Sequence, residues 1–219
     1  MVIVGLIPAR AGSRGKNLWP LAGKPLLAWT VEAAQASSTV TRTVVSTDSE
    51  EVAAVARGLG AEVLTRPAEL ARDETATQEV IVHALGKLGG CDVIVLLQPT
   101  SPLRRPEHID ESVRLLLDSG ADSVLSVVEV PHQYRPVSLM AIEDGRLIPL
   151  EADAPTRRQD KPVVYARNGP AVFALRPDRL GETLYAGDCR PYVMELRDSL
   201  DIDELFDLEL AELLLNVAR

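Results

Sequence analysis

The sequence predicts a single α/β domain built in three layers, α/β/α, around a mostly parallel sheet. Three observations predict it. Short β-branched apolar runs alternate with helical patterns through the first half of the chain, the rhythm of a parallel sheet covered on both faces. Of 219 residues, 46% are hydrophobic and 4% aromatic, so the core is aliphatic and ample for one domain. Polar and basic loops follow directly on the apolar runs, at the edge where open α/β sheets bind ligands.

Element by element, Val2–Ile7 reads as a buried first strand and Leu26–Ala36 as a helix. Arg42–Ser46 is strand-like, and Thr47 with Glu50 reads as a capping box opening a helix over Glu50–Leu59. Glu62–Leu64 is a short strand, Thr77–Leu88 a helix, and Val93–Leu97 a strand of continuous apolar residues. Glu107–Leu117 is helical and Ser123–Val128 returns to strand. The rhythm then fails. Residues 131–166 are rich in Pro, Arg and Asp, with Asp144-Gly145 marking a hairpin between Leu139–Ile142 and Leu147–Leu150. Such a segment is too polar to extend the core and reads as an arm for a second subunit. Val172–Leu175 and Tyr192–Leu196 resume strands, and a last helix carries Phe206, Leu210, Leu213, Leu214 and Val217 on one apolar face.

The net charge of −9 argues against non-specific binding to nucleic acid and makes a local basic loop more telling. Cys91 and Cys189 have neither metal-ligand nor disulfide-framework spacing, and His83, His108 and His132 form no metal pair. Met1 leads straight into a strand with no leader-like segment, and no apolar run reaches membrane-spanning length, so a cytoplasmic, membrane-free protein is expected.

Three constellations carry chemistry. Arg10, Arg14 and Lys16 lie in a glycine-bearing loop, with Ser13 and Asn17, directly behind the first strand. Strand, small-residue basic loop, then helix is how an α/β sheet meets phosphate; the loop is neither a Gly-Lys-Ser/Thr phosphate loop nor a GxGxxG turn. A surface turn with scattered cations is the alternative. Gln98-Pro99-Thr100-Ser101-Pro102-Leu103-Arg104 follows the central strand and opens on the same edge, as donors on a stiffened backbone or as a plain proline-rich turn. Asp201 and Asp203 point the same way in an extended stretch, which suits a divalent cation shared with substrate phosphates. The alternative there is capping of the last helix, with Glu204 meeting its dipole.

Together, IPARAGSRGKN at 7–17, VSTD at 45–48, RPAEL at 66–70, LLQPTSPLR at 96–104, RNGPAVF at 167–173 and DSLDID at 198–203 resemble the acylneuraminate cytidylyltransferase family, which makes CMP-sialic acid and related CMP-nonulosonic acids. The resemblance implies a nucleotide-diphospho-sugar transferase fold with a dimerisation arm, a homodimer, and Mg²⁺-dependent transfer of CMP from CTP to a nine-carbon keto sugar acid. It implies that Arg10, Ser13, Arg14 and Lys16 hold the triphosphate with Asn17 nearby, and that Arg66 and Thr77 lie around the cytosine. Gln98, Arg104, Arg158, Tyr165, Asn168 and Phe173 would shape the sugar side, and Asp201 and Asp203 would carry Mg²⁺. Here Gly15 is followed at once by Lys16-Asn17, a shorter loop than the family usually has, which leaves the division of work between Arg14 and Lys16 open. A Kdo cytidylyltransferase and a non-catalytic sensor of CTP or a CMP-sugar are the rival readings.

Overall fold

The structure is a computed structural model that describes residues 1–12, 15–151, 155, 157–169, 171–181, 183–185 and 187–217. Ser13 and Arg14, two of the expected phosphate contacts, lie outside the described residues.

The first half alternates as expected: β1 (Ile3–Pro8), a two-residue hairpin of β2 (Pro20–Leu21) and β3 (Lys24–Pro25), α1 (Leu26–Ala36), β4 (Arg42–Thr47), α2 (Glu50–Gly58), β5 (Glu62–Thr65), α3 (Thr77–Leu88), β6 (Val93–Leu96), α4 (Pro106–Ser119) and β7 (Ser123–Glu129). The second half holds the arm hairpin β8 (Met140–Glu143) and β9 (Arg146–Pro149), then β10 (Tyr165–Arg167), β11 (Phe173–Leu175), β12 (Cys189–Met194) and α5 (Leu205–Val217).

Strands β6, β1, β4 and β5 pair in parallel, so Leu96, Pro8, Thr47 and Thr65 all end on one edge of the sheet. β11 is antiparallel to both β6 and β7, and β12 runs parallel to β7 on its other side. One side of β7 is shared by two short strands in series. β11 covers Ser123–Leu125, β10 covers Val127–Glu129, and the chain bridges the break at Ser126. The sheet is therefore mixed but mostly parallel.

Alternation along the strands divides the core into two faces. Ile3, Ile7, Val45, Val95 and Leu97 meet α1, α2 and α4, whereas Val4, Leu6, Val44, Ile94 and Leu96 meet α3. Gly5 lets α1 sit close, since a Cβ there would lie 3.3 Å from Val40 Cγ1 and 3.6 Å from Ala34 Cβ.

A third small cluster corrects the expected face of the last helix. Leu208, Ala211 and Leu215 pack on Leu21, Leu26, Ile202 and Trp29, while Phe206, Leu213 and Val217 point to solvent. The apolar surface of α5 is wider than one stripe, so periodicity did not select the side that meets the hairpin. A second correction concerns α2. Its cap is Ser49, whose side chain accepts from the Val52 amide; Thr47 instead accepts from the Ser49 amide.

The arm is clamped at its base and bare at its tip. Buried Arg135 donates to the Val130 carbonyl (3.1 Å), the Lys161 carbonyl (3.0 Å) and Glu129 (2.8 Å). Beyond it, Asp144 and Gly145 both take positive φ, the turn that hairpins of this length require. Ile142, Leu147 and Leu150 on that hairpin are exposed. Tyr165 and Ala166, expected at the end of the arm, belong to the sheet through their pairing with Glu129 and Val128.

Candidate active site

The loops behind β1, β5 and β6 meet over the carboxyl edge of the sheet and enclose a cleft of about 190 Å³. Arg10, Lys16, Asn17, Arg66, Thr77 and Gln98 all line it. Six of the expected site residues, from four separate stretches of sequence, are thus brought together.

Each is held for a physical reason. Gly15, at φ 70°, turns the first loop into the 3₁₀ turn Lys16–Leu18, and Asn17, buried, donates from Nδ2 to the Arg10 carbonyl at 3.0 Å. Asn17 therefore braces the loop that carries both cations. Arg10 ion-pairs with exposed Asp73, and Lys16 Nζ lies 3.0 Å from Asp203 Oδ1 and 3.1 Å from the Ile202 carbonyl. Arg66 is buried and donates to the Ser46 carbonyl at 2.8 Å and to Ser46 Oγ at 3.2 Å. Burial lowers its pKa, Asp48 opposes that, and Arg10 adds to it.

Asp201 and Asp203 are not among the residues that line this cleft; their segment lies beside it, where Lys16 reaches Asp203. The Ile202 amide donates to the Thr100 carbonyl at 2.8 Å, which ties their segment to the loop behind β6. Burial raises the Asp201 carboxyl pKa most; Asp203 and Asp207 push the same way, against a hydrogen bond from Thr100 and the charge of Lys16. Its Oδ1 is buried and has no hydrogen-bond partner among the described residues. The amides of Asp203 and Glu204 both donate to Asp207 at 2.9 Å, so the capping role falls to Asp207 and leaves the two earlier carboxylates for other work. Among the described residues no group of three His, Cys, Asp or Glu side chains could hold a metal. A cation here would draw on two carboxylates and complete its shell with water and phosphate oxygens, the usual habit of Mg²⁺.

The expected sugar residues do not assemble as a set. Gln98 lines the cleft. Arg104 is 3% exposed and donates from Nη1 to the Gln98 carbonyl (3.1 Å) and the Ala171 carbonyl (2.7 Å); burial lowers its pKa to about 9. It fastens the proline-rich loop to the sheet from within. Phe173 is fully buried between β6 and β7, its ring 5.6 Å from that of Tyr185. Its place on a strand paired on both sides put it in the core. Asn168 is also buried, with its side chain spent on Ser126, Met194 and Ser199. Tyr165 is exposed on β10, and Arg158 lines a separate hollow at the arm base with His132, Arg135 and Lys161.

The cleft also contains Thr100, one of the expected donors behind the central strand, and three residues that sequence reasoning missed: Arg72, Asp73 and Thr75. Arg72 and Thr75 had a usable signal, a cation and a hydroxyl between the third parallel strand and the helix after it. Asp73 had none, because its place beside Arg10 is purely tertiary.

A family model described as cytidylyltransferase matches residues 4–213. The chain is 37% identical over 215 residues to an N-acylneuraminate cytidylyltransferase of Escherichia coli O18:K1:H7, covering 95% of this chain and 51% of that protein. It is 36% identical over 230 residues to the CMP-N,N'-diacetyllegionaminic acid synthase of Legionella pneumophila, covering 99% of this chain and 97% of that protein. The chain thus spans about half the length of several curated relatives it matches and nearly all of another. A CMP:2-keto-3-deoxy-manno-octonic acid synthetase solved with CTP superposes with a TM-score of 0.77 at 16% identity over the whole of both chains. A 4-diphosphocytidyl-2C-methyl-D-erythritol synthase of Anaerococcus prevotii gives 0.70 at 12%, covering 98% of this chain and 96% of that one. These two likenesses speak to the fold. With its carboxyl-edge cleft, its mostly parallel sheet and a family match running nearly end to end, the chain belongs to the cytidylyltransferase family.

Proposed function

We propose that the protein transfers CMP from CTP to the anomeric hydroxyl of an acylated nonulosonic acid of the sialic, legionaminic or pseudaminic type, releasing pyrophosphate. The observation that carries this reading is the meeting of Arg10, Lys16, Arg66, Thr77 and Gln98 in one cleft, beside the half-buried Asp201 carboxylate with its buried, unpartnered Oδ1. The relatives named above, which carry sialic- and legionaminic-acid activities in their names, favour the sugar class.

The anomeric oxygen attacks the α-phosphorus in line, the bond from that phosphorus to the bridging oxygen breaks, and pyrophosphate leaves with the electron pair. The hydroxyl proton passes to solvent. The protein's part in such a transfer is positioning and charge. Arg10 and Lys16 bind the triphosphate and stabilise the departing pyrophosphate. Their present partners, Asp73 and Asp203, are 77% and 76% exposed, so exchanging these pairs for phosphate sacrifices little. Arg66 and Thr77 flank the base, and Gln98 orients the sugar. Asp201 and Asp203 would hold Mg²⁺, and the unpartnered Asp201 Oδ1 suits that ion. When bound, the ion neutralises charge on the phosphate oxygens.

We further propose a homodimer in the cytoplasm, formed through the arm, in which Arg158 and Tyr165 contribute sugar contacts across the interface. The exposed apolar residues of the arm hairpin support it, and no helix among the described residues is long and apolar enough to cross a membrane. Pyrophosphate release from CTP and Mg²⁺ across a panel of N-acetylneuraminic, legionaminic, pseudaminic and Kdo acids tests the reading. Release with a nonulosonic acid and not with Kdo is expected. Release with Kdo only, or CTP binding with no turnover on any acid, would replace it with one of the rivals.

A further inference from the structure

The segment that carries Asp201 and Asp203 has no regular structure, yet Asp201 must be set to within fractions of an ångström to serve any cation. What holds it comes from behind the cleft. Asn168 lies at the break between β10 and β11, 4% exposed, and its amide is used at both ends. Its Oδ1 accepts from Ser126 Oγ on the central strand β7 at 2.7 Å, and its Nδ2 donates to Ser199 Oγ on the carboxylate segment at 2.9 Å. Ser126 Oγ in turn accepts from the Val172 amide at 2.9 Å, so the far end of this chain of bonds is anchored in the sheet.

The next residue completes the arrangement. Gly169 has φ 110°, and a Cβ there would lie 3.0 Å from Ser101 Oγ and 3.4 Å from Asp201 Oδ1. These two oxygens are both buried and both without a hydrogen-bond partner among the described residues. A Cβ at Gly169 would crowd Ser101 Oγ and come into van der Waals contact with Asp201 Oδ1, so the backbone there runs beside that carboxylate oxygen.

We propose that Asn168 and Gly169 are positioning residues for Asp201. Asn168 ties the carboxylate segment to the sheet, Gly169 leaves room for Ser101 Oγ beside Oδ1, and neither touches substrate. This rests on the reading of Asp201 as a metal carboxylate and moves Asn168 from the sugar pocket to the support of that carboxylate.

The test is Mn²⁺ affinity in the presence of CTP, read by electron paramagnetic resonance on the full chain, beside CTP affinity without metal and thermal unfolding. Asn168→Asp and Gly169→Ala should weaken Mn²⁺ binding about 10- to 100-fold, the usual effect of removing support behind a metal ligand. Metal-free CTP affinity should hold. Ser199→Ala removes the acceptor from the partly exposed side and leaves the buried Asn168 in place; it should weaken Mn²⁺ a few-fold, up to about tenfold, with unfolding nearly unchanged. Native Mn²⁺ affinity in Ser199→Ala and Asn168→Asp, or an equal loss of metal-free CTP affinity, overturns the proposal. Asp201→Asn separates the two levels. If it loses Mn²⁺ while the Asn168 and Ser199 variants keep it, only the positioning role falls; if it keeps Mn²⁺, the metal reading falls and takes the proposal with it.

Discussion

Two irregular, proline-bearing segments of this chain have opposite fates. The loop behind β6, with Pro99 and Pro102, is sealed into the domain, whereas the arm, which begins at Pro131, stands away from it. Ser101 and Arg104 in the first are 0% and 3% exposed; Ile142 and Leu147 in the second are 77% and 64%. Polarity alone does not set the difference, since the buried loop itself carries Gln98, Thr100, Ser101 and Arg104. The difference lies in where the backbone bonds go. Carbonyls of the loop are taken by Arg104, by the Ile202 amide and by Thr30. Those of the arm are taken by its own hairpin and by the clamp at Arg135. An irregular segment becomes rigid when other elements satisfy its backbone.

That contrast can be broken in order of force. Replacing Asp201 by Ala, at the rim of the sealed loop, should lower kcat about 10²–10³-fold at saturating Mg²⁺; near-normal turnover would remove Asp201 from the site. Arg104→Met should cost about 1–3 kcal/mol in urea unfolding, because the buried Ala171 carbonyl loses its donor and the Gln98 carbonyl, still bonded by Thr30, loses one of several. An unchanged midpoint would mean that the loop is not part of the cooperative unit.

A third irregular stretch, Ser37–Val40, gives a titratable version of the same effect. Burial alone would raise the Asp110 pKa, but hydrogen bonds from Ser37, Ser38 and Thr39 outweigh it and bring it down to about 2. A depressed carboxylate contributes stability that is whole above its unfolded value near 3.8 and is lost as pH falls through the folded value. About 2 kcal/mol should therefore disappear between roughly pH 4 and pH 2, and Asp110→Asn should flatten that part of the profile. At the weak end, Ile142→Glu with Leu147→Glu should change monomer unfolding by less than about 0.5 kcal/mol, and light scattering should show the proposed dimer dissociating. A large loss of monomer stability would show that the arm belongs to the core after all.

Most of the sheet and helices could be read from the sequence, because alternating burial and 3.6-residue periodicity are written locally. The Asp144-Gly145 turn was legible for the same reason: both residues are at home at positive φ. The hairpin of β2 and β3 was not, since its turn puts Ala22 at φ 47°, a conformation that alanine does not advertise. The cations of the cleft were legible from their place behind strands. The burial of Phe173, Arg104 and Asn168 was not, because motif membership does not tell an exposed position from a buried one.

The arm departs from Glu129 and returns at Tyr165, and these two residues face each other as register partners at the end of β7. The Val130 amide donates to the Val164 carbonyl at 2.9 Å just beyond them. Entry and exit are thus neighbouring rungs of one ladder, and everything between them is a detachable cassette as far as topology is concerned. Descendants of this chain can lengthen, trim or exchange that cassette without shifting a strand beneath the cleft, so partner choice and chemistry are free to evolve at different rates.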